Sequence, residues 1–88
     1  MIPAQCRAAR ALLEWTQPQL ASAARLNAST IEDFEKNPQN VPRDTVVSIR
    51  LALEAAGIEF IDGGAPGVRL KPIAGFVRPE ELNSANDG

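Results

Sequence analysis

The sequence predicts a mainly α-helical domain followed by a small β-hairpin, and three observations carry that expectation. Apolar residues recur at three- and four-residue spacing through four separate segments between Ile2 and Ala56. Residues that start or stop helices (Pro3, Thr16, Asn27, Pro38 and Gly57) punctuate those segments. After Gly57 the pattern alternates every second residue and uses β-branched and aromatic side chains. Residues 1–57 therefore read as the helical domain, 58–71 as the hairpin and 72–88 as a partly disordered tail.

The first helix is expected over Ile2–Glu14, where Ile2, Cys6, Ala9 and Leu13 form the apolar stripe. Pro3 falls in its first turn, where a missing N–H costs nothing. Arg7 faces away from the stripe and Arg10 borders it. Trp15 caps the core at the junction with the second helix; stacking on a base is the alternative role for an aromatic at that place. Thr16 is an N-cap, Pro18 lies in the first turn, and Gln19 stands at the capping-box position. Leu20, Ala21 and Ala24 form the inward side of this second helix, which ends near Arg25 and Leu26. The third helix starts at Asn27 or Ser29 and buries Ile31 and Phe34. At about 100° per residue, the opposite direction belongs to Ser29, Glu32, Asp33 and Lys36, with Ala28 at the leading end. Pro38 stops this helix. The fourth runs from Pro42 or Arg43 to Ala56 on a stripe of Val46, Ile49, Leu53 and Ala56, widened by Val47, and Gly57 ends it as a C′ glycine. Strands then follow at Ile58–Asp62 and Val68–Lys71, around the loop Gly63–Gly67.

Composition excludes more than it assigns. Net charge is −2, with six cationic and six acidic groups in residues 1–56 and three against five in 57–88. A basic excess, the usual mark of a nucleic-acid binder, is missing. Histidine and tyrosine are absent, which removes the commonest general base and most zinc-site chemistry. Glu32 and Asp33 are adjacent on a helix and diverge by about 100°, so they are not a catalytic carboxylate pair. The glycine-rich loop lacks the Lys-Ser/Thr of a phosphate loop. No enzyme, metal site or cofactor is implied. Cys6, the single cysteine, reads as a small core residue rather than a redox switch. No run of apolar residues is long enough to span a membrane and no secretory signal is visible, so a cytoplasmic location is expected.

The segment Thr16–Lys36 has the pattern of a helix-turn-helix: two short helices, a tight turn, and a polar outward face on the second. Its residues Thr16-Gln17, Leu20-Ala21, Ser29-Thr30-Ile31 and Phe34-Glu35, together with Arg10, Leu13 and Leu53, make residues 5–57 similar to the Cro/lambda-repressor-type helix-turn-helix family, also called the XRE family. The hairpin resembles a C-terminal extension of small bacterial members. The resemblance implies a compact four- to five-helix lambda-repressor-like DNA-binding domain that acts as a homodimer on a palindromic operator of double-stranded DNA. RNA polymerase is a possible second partner, and no small-molecule ligand is evident. It implies base contacts from Ala28, Ser29, Glu32 and Asp33. Contacts to the DNA backbone are implied for Gln17, Asn27, Arg25, Lys36 and Arg43, and a structural ion pair for Arg10 with Glu35. Many members carry glycine where this chain has Arg25; if the turn needs positive φ there, arginine adopts it at a cost of about 1 kcal/mol.

Two expectations stay open at the level of sequence. Ile58, Phe60, Ile61, Val68 and Leu70 build a dimer interface, by edge pairing or by packing across a two-fold axis, or else complete the monomer's own core. The acidic outward face of the third helix either reads bases by accepting from cytosine, or marks a protein-interaction module of antiactivator or antitoxin type with little DNA affinity.

Overall fold

The structure is a computed structural model and describes residues 1–71; the tail expectation for 72–88 lies outside those residues. The order is α1 (Pro3–Leu13), α2 (Gln17–Ala24), α3 (Ala28–Lys36), a 3-10 turn (Pro38–Asn40), α4 (Arg43–Ala55), β1 (Ile58–Ile61) and β2 (Gly67–Leu70). The architecture is mainly helical with one two-stranded antiparallel sheet. No helix of the described residues is long and apolar enough to cross a membrane.

The core draws two buried residues from each helix and one from the sheet: Cys6 and Ala9, Leu20 and Ala21, Ile31 and Phe34, Ile49 and Leu53, and Ile58. The alanines on α1 and α2 are part of the packing logic, since small side chains let helix axes approach. Leu13, Trp15, Leu26, Val46, Phe60 and Val68 pack around this centre, half-buried, so Trp15 takes the capping place at the α1–α2 junction. Two members of the expected stripes are instead surface residues, Ile2 at 46% and Val47 at 47% exposure. Ile2 precedes the first helical turn, and nothing in the described fold covers that side of α4.

Helix ends follow local chemistry. The Thr16 hydroxyl accepts from the Gln19 N–H (3.2 Å) and the Gln19 carboxamide oxygen accepts from the Thr16 N–H (2.7 Å), a complete capping box. Gly57 has φ 107 and lets the chain leave α4 for β1. Two residues other than glycine also sit in the left-handed region, Glu14 (φ 58) and Arg25 (φ 60). Both end a helix: the Glu14 N–H returns to Arg10 and Ala11 carbonyls, and the Arg25 N–H to Ala21 and Ser22 carbonyls.

In the hairpin, Ile58 pairs with Leu70, Glu59 with Arg69, Phe60 with Val68 and Ile61 with Gly67. Directly opposed residues share a face. Ile58, Phe60, Val68 and Leu70 therefore lie on one face, and Glu59, Arg69 and Ile61 on the other. Arg69 donates to Glu59 at 2.6 Å across the outer face. The Gln5 carboxamide, 4% exposed, ties α1 to the hairpin by donating to the carbonyls of Ile61 (3.3 Å) and Gly67 (3.0 Å), while its oxygen accepts from the Ile2 N–H (3.0 Å).

Candidate nucleic-acid interface

Helix α3 is fixed from beneath by Ile31, Phe34 and Glu35, all buried. Its other side carries Ser29, Glu32, Asp33 and Lys36, each exposed, so the expected polar strip forms. Lys36 Nζ donates to Glu32 at 2.9 Å, an i,i+4 pair that raises the Lys36 pKa and cancels charge within the strip. Asp33 has no ion-pair partner among the described residues.

Ala28, expected at a base edge, is less open than the rest of the strip. It is half-buried and packs against the core, because three residues before Ile31 places it only about 60° from the anchoring direction on the helix wheel. Asn27 occupies the N-cap position, but its side chain makes no capping bond and is exposed. It is thus available to an outside acceptor.

The anchor of α3 is a network around Glu35. Arg10 Nε reaches Oε2 at 2.8 Å and Arg10 Nη2 reaches Oε1 at 2.9 Å. Cys6 Sγ donates to Oε2 at 3.2 Å, and Gln17 Nε2 donates to Oε1 at 3.0 Å. Arg10 Nη1 also reaches the Trp15 carbonyl (3.2 Å), and Arg7, expected to face away, turns back to the Glu35 carbonyl (3.0 Å). The Arg10–Glu35 pair that the resemblance implies is therefore present, and its network joins three helices, α1, α2 and α3, rather than two. Burial works against the Glu35 carboxylate, yet hydrogen bonds from Arg10, Gln17 and Cys6, with the Arg10 charge, hold it below the ordinary carboxylate range. The hydrogen bond to Glu35 raises Arg10. Burial first, then the Glu35 hydrogen bond and charge, push the Cys6 thiol up to about 12.

Gln17, expected at the DNA backbone, is turned partly inward. Its side chain is half-buried and committed to Glu35. In the first turn of α2, Pro18 has no N–H, Gln19 donates to Thr16 Oγ1 and Leu20 to the Thr16 carbonyl. The Gln17 backbone N–H is the one left for an anion. Arg25 and Arg43 are exposed and form no ion pair among the described residues, at the end of α2 and the first position of α4. They flank α3 in sequence, and with Lys36 they are the cations of this region.

Ile58 is the one expected interface residue that the monomer encloses. At 1% exposure it lies inside the monomer core, because α4 packs onto β1, and it offers no surface to a second chain. Phe60 and Val68 are half-buried against the same core. Ile61 (43%) and Leu70 (49%) remain exposed, on opposite faces of the ribbon. Among the described residues no cluster of potential metal ligands occurs. A scan of family models and a search of curated proteins return no match to the chain.

Proposed function

We propose that the chain is a sequence-specific double-stranded-DNA-binding regulator of the Cro/lambda-repressor-like class, acting as a homodimer with α3 in the major groove. The observation that carries this reading is the exposed strip Ser29, Glu32, Asp33 and Lys36 on a helix whose opposite side is locked to α1 and α2 through Glu35. A rigidly held polar helix is what base reading requires, since misplaced donors and acceptors lose discrimination. The Gln17 backbone N–H, Asn27, Arg25, Lys36 and Arg43 would meet phosphates around it. The hairpin would join two copies through the exposed Ile61 or Leu70, giving one recognition helix per half-site about one helical turn apart.

The Glu32–Lys36 pair favours a second reading, a helix-turn-helix-derived interaction module, because it neutralises a cation that phosphate binding would use. Sequence selection from random duplexes, followed by anisotropy titration across salt concentrations, separates the two. The regulator reading expects a palindrome to emerge; a selection that enriches nothing, with a protein partner recovered instead, overturns it. Sedimentation of Ile61→Asp and Leu70→Asp tests the hairpin, and a dimer unchanged in both variants removes it as the joining element.

A further inference from the structure

A cleft of about 480 Å³ opens where the N-terminus, the end of α3 and the start of α4 meet. Helix α4 supplies one wall with Arg43, Val46, Val47 and Arg50, spaced so that all four fall on neighbouring positions of one helix face. Met1, Phe34 and Pro38 close the other sides. The lining is thus apolar with a guanidinium toward each end, separated by about 10 Å along the helix. The two arginines differ in commitment. Arg50 donates to Glu54 at 3.0 Å, lies 3.8 Å from Asp62, and sits over the Phe60 ring at 4.8 Å. Arg43 forms no ion pair among the described residues and stands exposed at the mouth.

We propose that this cleft binds a small amphiphilic carboxylate. Its carboxylate pairs with Arg43, and its apolar body lies along Val46, Val47 and Met1. Charge decides the orientation: Glu54 and Asp62 already answer Arg50, so the anion goes to Arg43. The planar guanidinium fork matches a carboxylate with two parallel hydrogen bonds. The volume falls within the range of small-ligand pockets, and a mostly apolar lining with few placed polar groups is their usual composition. Val47, out of place as an exposed valine on α4, gains a partner in this arrangement. One consequence rests on the function proposed above: Arg43 is there a phosphate contact, so ligand and DNA compete for one guanidinium.

The test is titration of octanoate into the ¹⁵N-labelled full chain at constant ionic strength, with octanol and acetate as controls for head and tail. Saturable shifts at Phe34, Val46, Val47 and Arg50 are expected. Octanol and acetate should each bind at least about tenfold more weakly, and Arg43→Gln should weaken octanoate by about tenfold, the effect of losing one charged hydrogen-bonding partner. Retained spectral dispersion shows that the variant folds. Unsaturable shifts, shifts centred on Leu51, Ile61 or Leu70, or an Arg43→Gln chain that binds octanoate as the parent does, overturn the proposal. The titration needs no DNA, so a chain that takes octanoate but selects no duplex keeps the cleft and loses the regulator.

Discussion

Arg10 and Glu35 meet through two parallel hydrogen bonds, 2.8 and 2.9 Å, across 25 residues of chain. The Glu35 side chain is 5% exposed and that of Arg10 19%, so the pair is largely out of water. Removing one member of such a pair strands the other's charge, whereas removing both does not. Arg10→Met should therefore cost about 3 kcal/mol of stability. The double variant Arg10→Met/Glu35→Met should recover at least about 1 kcal/mol of that loss, as urea midpoints will show. A double variant no more stable than the single one would mean that Gln17 and Cys6 depend on the carboxylate more than Arg10 does.

Glu35 also sets an acid limit. Its folded pKa lies below the ordinary value of 4.5, so its contribution is fully present above that pH and is lost as pH falls through the depressed folded value. Urea midpoints should drop below pH 4.5, and Glu35→Gln should flatten that drop while lowering stability at pH 7. An equally steep acid loss in Glu35→Gln would assign it to other carboxylates.

The left-handed Arg25 gives a prediction of opposite sign at neighbouring positions. Glycine relieves the positive φ at Arg25, worth about 1 kcal/mol and partly offset by added freedom in the unfolded chain. At Ala24, inside α2, glycine costs about 1 kcal/mol. Arg25→Gly should thus be neutral or stabilising where Ala24→Gly is destabilising, measured by thermal unfolding. Equal losses at both would show that the arginine side chain packs usefully in the turn.

Charge on the strip is tunable. Glu32→Gln releases Lys36 from its 2.9 Å partner. Binding to random duplex should tighten, and the slope of log K against log salt should steepen by about one unit, the signature of one more phosphate contact. An unchanged slope would place Lys36 away from the phosphates.

The parts legible in the sequence were those governed by near neighbours in the chain. The Thr16–Gln19 box, the Gly57 stop and the strip on α3 each depend on residues within one or two turns, and periodicity reads those. Arg10–Glu35 lies 25 residues apart and was legible through the family resemblance, supported by where both fall on their helix wheels. What stayed hidden was long-range polar satisfaction. Gln5, Cys6 and Gln17 each look like ordinary residues of a stripe or a cap, and only the packing of separate elements gives them Ile61, Gly67 and Glu35 as partners. Glu14 shows no positive-φ signal because its residue type rarely adopts one. The cleft beside Arg43 is likewise a long-range feature, since its walls come from four separated segments.

Gln5 has a consequence in time. Its carboxamide joins the first helix to carbonyls 56 and 62 positions later in the chain. As the chain is synthesised, α1 emerges well before β2, so the Gln5 carboxamide meets its second carbonyl only once β2 is made. Most contacts in a small helical domain are local and form fast, while a closure this long carries a loop entropy that grows only with the logarithm of length. A nascent chain halted before Gly67 therefore lacks the second of the two acceptors that hold Gln5.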